Sequence, residues 1–495
     1  MKLWKRAGSL GLSLALCTGL VLPALAHTVT IDGEGSHQVG TVQEGVSAIE
    51  ASASQSGTIK MDGDDNAGAV ISKGNVTLDL EGHSITNNAT NGAAITVSGG
   101  GKLTLQDSGT GGKVEATGMF GTGVEVNGGA TANILGGEVK ATGGEGTGVK
   151  AFGGGTANIL GGEVKATGED GTGVKVSGGT ANILGGEVKA TGEDGNGMYV
   201  SGGTANIWGG AVSGEDHGVD VNWGGTVNIS GGTVSGDSGV SSFYGRVEVS
   251  GGVVSGENGN GVYVGGGSLE ISGGTVSGGQ NGVGVNGGGT ANILGGEVKA
   301  TGEDGNGVYV RDGEATISDD ATVTGETGVQ VEEDSTFTMN GGTVGSTVKD
   351  GAAVDGSGTI TLKGGTIYGK VPDGVTIGDK VTVKDAPYVP PTPGPAPASD
   401  PLTRPAAART LLEELFRRAG GSGELWTWAV ENGLIDEDGD GDEIVTVALL
   451  RSILTRYAQA FGGSAVAVED LTTLTGADAD IVRNCRAVLK EFFGE

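Results

Sequence analysis

Glycine supplies 105 of the 495 residues and aromatics only 4%, so no large globular core can be filled with bulky side chains. A slender solenoid of Val, Ile and Ala needs none. The formal net charge of −31 repels nucleic acid and anionic lipid and sets both aside as partners. The same charge keeps a repetitive β-protein soluble and discourages edge-to-edge pairing.

Residues 1–26 read as a secretory signal peptide, so the mature chain is expected outside the cell, at the cell wall or surface. Lys2, Lys5 and Arg6 form the basic start, Leu10 to Leu22 the apolar stretch, and Ala24-Leu25-Ala26 the cleavage site. The apolar stretch is too short for a lasting membrane span. Leu16 before Cys17 does not fit a lipoprotein site, and cleavage leaves Cys485 alone, without an internal disulfide partner.

Residues 27–57 are expected to cap the fold. Val42, Val46, Ile49 and Ala53 fall at helical spacing, which predicts a short helix lidding an otherwise open sheet edge. A strand follows at Thr58-Ile59-Lys60-Met61, and Val76-Thr77-Leu78 and Leu103-Thr104-Leu105 begin the first, less regular coils.

From there one phrase recurs. TANILGGEVKATG starts at Thr131, Thr156, Thr180 and Thr290, with looser copies such as TANIWGG from Thr204 and SLEISGG from Ser268. Successive starts lie 20 to 25 residues apart, a period that means a solenoid. Within each unit apolar residues alternate with period two, as in Ala132-Asn133-Ile134 and Val174-Lys175-Val176, so the units are strands. Three short strands per unit, parted by glycine corners, make a parallel β-helix. About fourteen coils at ~4.8 Å make a rod of roughly 65 Å. Leucine-rich repeats, the calcium-binding nonapeptide roll and collagen each need a frame or period that is missing.

The early coils resemble the opening turns of right-handed β-helix proteins of the pectate-lyase-like superfamily. The resemblance spans roughly residues 40–385 and implies a right-handed parallel β-helix over 58–386, with coils of 20–29 residues. It carries no active site with it. Between residues 28 and 386 the arginines are Arg246 and Arg311 and the histidines His37, His83 and His217. Neither Gly-His-Gly nor Arg-Ile-Lys occurs. Asp64-Asp65 and Asp319-Asp320 lack companions, so a polysaccharide lyase or glycoside hydrolase is the alternative rather than the expectation.

Tyr199, Tyr263 and Tyr309 fall at the same outward position of the third strand in their coils. Trp208 and Trp223 stand where other coils are read as having Leu or Ser. Exposed aromatics in an aromatic-poor rod suit stacking on sugar rings, which makes these five the candidate glycan-binding residues. Glu169-Asp170, Glu193-Asp194, Glu215-Asp216 and Glu303-Asp304 recur at equivalent corners. They are read as solvated loops, with divalent-cation bridging as the alternative.

A proline-rich linker is expected at 387–400, with Pro387, Pro390, Pro391, Pro393, Pro395 and Pro397. Residues 401–495 then switch to helical periodicity, as in Leu411, Leu412, Leu415 and Phe416, and predict a small all-α domain. Leu402-Thr403-Arg404-Pro405-Ala406 and Trp428-Ala429-Val430-Glu431-Asn432-Gly433-Leu434-Ile435 resemble the phrases of S-layer homology modules. That resemblance implies attachment to cell-wall polysaccharide, with Arg404 and Trp428 as the carried-over positions. Ala406 replaces the family's glutamate, and Val447 and Leu449 depart from it in the second copy. Asp436, Asp438 and Asp440, followed by Gly441, match positions 1, 3, 5 and 6 of a calcium loop. Position 12, where a bidentate acid belongs, is Val447. Calcium is therefore a possible cofactor, and no other is implied.

Overall fold

The computed structural model describes residues 27–389. Residues 1–26, read as a signal peptide, most of the expected linker, and the expected helical module with Arg404, Trp428, Asp436, Asp438, Asp440 and Cys485 lie outside the described residues.

The described chain is a β-solenoid of parallel strands, three to a coil, as the alternation predicts. In the first ladder Thr131–Ile134 pairs with Thr156–Ile159, residue on residue. In the second, Glu138–Ala141 pairs with Glu163–Ala166. In the third, Thr147–Phe152 pairs with Thr172–Ser177. The third ladder is a sheet of its own with 13 strands. The first two merge at the C-terminal end, where the strand Thr359–Tyr368 pairs with both Thr336–Met339 and Thr343–Ser346.

Side-chain alternation sorts each ladder into an inward and an outward set. Ala132, Ile134, Val139, Val149 and their counterparts one coil on, Ala157, Ile159, Val164 and Val174, are fully buried. Each Val or Ile so buried contributes roughly 1.5–3 kcal/mol, repeated coil after coil. Outward on the first ladder, Asn158 donates to Asn133 at 2.7 Å, and Asn182, Asn206 and Asn228 continue the chain at 2.8 Å each. Outward on the second, Lys113–Glu115, Lys165–Glu163 and Lys299–Glu297 pair at 3.1–3.3 Å. These pairs are solvent-facing, each worth under ~1 kcal/mol, so the inward columns hold the rod together.

Parallel stacking brings backbone against backbone at the corners. A Cβ on Gly168 would sit 1.8 Å from the carbonyl oxygen of Gly143, and one on Gly192 1.8 Å from that of Gly168. No side chain fits there, which explains why this corner keeps glycine while the strands drift.

The N-terminal cap holds more than the expected helix. The helix Val42–Ala51 forms, with Thr41 accepting from Glu44 N–H and burying Val42, Val46 and Ile49. Glu44 Oε2 accepts from the N–H of Gly40, the residue before the cap, at 2.8 Å, so the Glu44 side chain also braces the helix start. Ala53 lies beyond the helix end. A hairpin of His27–Ile31 and Gly35–Val39 joins it. His27–Ile31 also runs antiparallel to Ser56–Met61, the first rung of the solenoid, so the edge is closed by strand pairing as well as by the helix. At the other end the strand Ile377–Lys384 pairs with Thr359–Tyr368. Tyr388, placed in the linker by the proline pattern, packs its ring 5.1 Å from that of Tyr368.

Two carboxylates tie the first coils together. Asp65 accepts from the N–H of Val42 at 2.6 Å and of Ala67 at 2.8 Å, and lies 3.7 Å from His27. Asp79 accepts from Ser108 N–H, Ser108 Oγ and Gln106 Nε2 at 2.8–3.0 Å. Burial works to raise both carboxyls, but these donors outweigh it and hold both below the ordinary 3.8. A depressed carboxyl stabilises the fold above its unfolded value and ceases to as pH falls through its folded value. Acidification below 3.8 should therefore open the N-terminal coils first. Hydrogen exchange at Val76–Leu78 would rise before exchange at Val174–Val176, and simultaneous opening would count against this. Gly168→Ala should cost about 2 kcal/mol or more, read as a lower thermal midpoint; an unchanged midpoint would contradict the packing described for that corner.

Candidate functional site

Alternation in the third ladder points every second side chain outward, and its register shows which of these form a site. Tyr199, Tyr263 and Tyr309 do share one outward column. Its sequence from coil to coil is Lys175, Tyr199, Asp220, Ser241, Tyr263, Gly284, Tyr309, Gln330. The column is not continuous. Tyr199 stands three coils from Tyr263, with the Lys175 ammonium 5.2 Å from its ring centroid. Tyr263 and Tyr309 flank Gly284.

The two tryptophans part company. Trp208 follows the first-ladder strand Thr204–Ile207. Its place in that corner is held by Leu184 one coil earlier and Ser230 one coil later. It is half-buried and belongs to a different corner from the tyrosines. Trp223 does not replace Leu or Ser. The pairing Ser201↔Asn222 sets it on Gly202, and the pairing Asn222↔Phe243 sets Tyr244 on Trp223. The column reads Gly178, Gly202, Trp223, Tyr244, Gly266, Gly287, all at positive φ. Glycine takes that conformation freely, whereas an L-residue is held there at roughly 1–2 kcal/mol.

What these strained positions present is an aromatic band. The rings of Trp223 and Tyr244 lie stacked, centroids 6.3 Å apart at 23°. Phe243 meets Tyr263 at 5.4 Å. Each of three rings lies against a glycine of the next coil. A Cβ on Gly266 would stand 2.6 Å from Tyr244 Cε1, one on Gly265 3.0 Å from Phe243 Cδ1, and one on Gly284 3.3 Å from Tyr263 Cδ2. The glycines therefore seat the rings. Trp223 is 73% exposed, Tyr244 63% and Phe243 44%, too open for these residues to serve the core. Phe243 and Tyr244 escaped the sequence reading. The signal was there, two consecutive aromatics in the slot that other coils fill with Ser-Gly, as at Ser177-Gly178 and Ser201-Gly202.

The coil beneath the band gives up stability in a second way. Ser242 faces inward between Val221 and Val264. It is fully buried, and its hydroxyl has no hydrogen-bond partner among the described residues. Departures from local rules gather at functional sites, and here strained backbone and an orphaned hydroxyl coincide under exposed rings.

The segment that leads into Trp223 carries an ionisable group of three. His217 Nδ1 is 2.7 Å from Asp216 Oδ2, and Asn222 donates to Asp220 at 2.9 Å. Burial pushes the Asp220 carboxyl above its ordinary value; His217 and Asn222 pull it down and Asp216 up. Among the described residues no three His, Cys, Asp or Glu side chains gather as metal ligands. The corner pairs Glu169-Asp170 and Glu193-Asp194 are exposed, and the calcium-like loop at Asp436, Asp438 and Asp440 falls outside the described residues. No described helix is long and apolar enough to cross a membrane. Comparison with family models, curated proteins and solved structures finds no match.

Two substitutions separate site from scaffold. Trp223→Gly restores the residue type that the corner favours, so the thermal midpoint should hold or rise; a loss of more than ~1 kcal/mol would contradict the strain argument. Ser242→Val replaces an orphaned hydroxyl with the neighbours' side chain. It should stabilise by about 1 kcal/mol, measured by calorimetry, and a destabilised variant would show that the hydroxyl has a partner.

Proposed function

We propose that this chain is an exported bacterial cell-surface protein whose solenoid binds glycan without cutting it. The band of exposed Trp223, Phe243 and Tyr244, joined by half-buried Tyr263, carries that reading. Sugar rings present C–H faces that stack on aromatic faces and need no single charge partner. A row of such contacts on one rod multiplies weak binding, so affinity grows with chain length. The right-handed, pectate-lyase-like character of the coils belongs to this proposal too. So do export through residues 1–26 and attachment to wall polysaccharide through residues 401–495, supported by the phrases at Arg404 and Trp428.

A second reading has one observation behind it. Asp220, with its raised carboxyl, and Asp216 on His217 lie on the segment that leads into Trp223, and a pair of carboxyls near a sugar-binding surface is what glycoside hydrolysis uses. The two readings differ in products. Mature protein incubated with polyuronates and with neutral glycans, with and without calcium, should retain polymer and release neither new reducing ends nor unsaturated sugars. Products lost in Asp220→Asn would establish the hydrolase reading in its place. Replacing Trp223 and Tyr244 by Gly together with Tyr263→Ala should weaken retention at least ~10-fold; unchanged retention would remove the band from the function. Mature protein should also sediment with wall sacculi and come free when the secondary polymer is stripped, and failure to sediment would remove the anchoring part.

A further inference from the structure

The band ends in a cleft. Between Tyr263 and Tyr309 the column drops to Gly284, and a hollow of about 490 Å³ opens there, within the size range of small-ligand sites. Amide groups line one side. Asn306 donates to Asn281 and Asn281 to Asn260, each at 2.9 Å. Asn281 is only 6% exposed, so the row is fixed in place by its own hydrogen bonds. The two ends of the hollow differ in charge. Glu303 and Asp304 stand at the corner before the strand Asn306–Val310, and Arg311 directly after it.

Arg311 is the unusual member. The solenoid's other arginine, Arg246, is tied to Glu248. Arg311 has no carboxylate within ion-pair distance among the described residues, although Asp312 adjoins it and acids outnumber bases 60 to 29 in the chain. A guanidinium presents a planar fork matched to carboxylate and similar oxyanions. The strand separates it from Glu303 and Asp304 by roughly 15 Å, beyond the ~8 Å Debye length at physiological salt.

We infer that the cleft between Tyr263 and Tyr309 is a subsite for an acidic glycan. One sugar ring lies against the tyrosines over Gly284, and its carboxylate or sulfate meets the Arg311 guanidinium. The inference rests on the glycan-binding reading and adds the ligand class. Glu303, Asp304 and the amide row accept from or donate to the hydroxyls of the remaining units, so the glycan lies along the strand direction with its anionic group at the Arg311 end. Charge recognition here uses a side chain, so it needs no calcium.

The test is titration calorimetry of the full mature chain in chelator with three oligosaccharides of equal length: neutral, carboxylated and sulfated. At least one acidic oligomer should bind about tenfold more tightly than the neutral one, and the two acidic arms show which oxyanion is preferred. Arg311→Gln should abolish that preference, bringing the acidic oligomer down to the affinity of the neutral one, while Arg311→Lys keeps part of it. Gly284→Tyr puts into the cleft a residue that its own column carries in other coils. It should remove the preference while the chain stays folded, with the thermal midpoint lowered because a Cβ at this position stands 2.8 Å from Asn260 Oδ1, which must give way. Equal binding of all three oligomers, or a preference that survives Arg311→Gln, overturns the subsite and leaves the aromatic band standing. No binding of any oligomer overturns both.

Discussion

Everything in this rod depends on how closely one coil lies on the next. Parallel ladders form only when every coil repeats its backbone path about 4.8 Å further on, and the corners decide whether it can. At Gly143, Gly168 and Gly192 successive carbonyls come so near that a methyl group would occupy the same space as an oxygen. Given that approach, the inward Val, Ile and Ala columns align without further instruction, and the outward columns are free to vary. The outward asparagines then add hydrogen bonds along the axis, which reinforce a register already imposed by the corners.

That division of labour made the solenoid readable in the sequence and the site only partly so. Period-two alternation and a 20- to 25-residue recurrence are properties of every coil, so a few drifting copies do not hide them. The Tyr199, Tyr263 and Tyr309 column was legible for the same reason, since a tyrosine between two apolar residues, as in Met198-Tyr199-Val200 and Val262-Tyr263-Val264, marks its own phase. Trp223 was misplaced because the third corner holds residues that alternation does not index. Only the paired backbone shows that Trp223 lies on Gly202. Phe243-Tyr244 read as drift within Ser-Ser-Phe-Tyr-Gly, and its meaning lies in φ, which sequence does not print. The cap hairpin was missed on similar grounds: Gly35–Val39 is exposed along most of its length and has no apolar alternation to announce it.

The coils that carry the band are those that depart from the repeated phrase. Of the four faithful copies of TANILGGEVKATG, the first two carry Lys150 and Lys175 outward on the third ladder, drawn toward Glu125 and Tyr199 respectively, and the other two carry single tyrosines, Tyr199 and Tyr309. Between Thr204 and Gly289 the phrase loosens, and aromatics, Asp220 and His217 come to the surface. Variation is free to act there because the corner glycines and inward valines on either side stay constant.

A solenoid can also bear the cost of such a site in a way that a globular domain cannot. Stability in a repeat array is close to a sum of coil and neighbour terms. The strain at Trp223 and Tyr244 and the orphaned hydroxyl of Ser242 are therefore borne locally, between coils whose valines are fully buried. They do not propagate to the ends, where the His27–Ile31 hairpin and Ile377–Lys384 close the larger sheet. Aromatic rings placed mid-rod thus sit where both flanks hold the backbone in register. The same strain at a terminal coil would be relieved by fraying, and the rings would lose their fixed spacing.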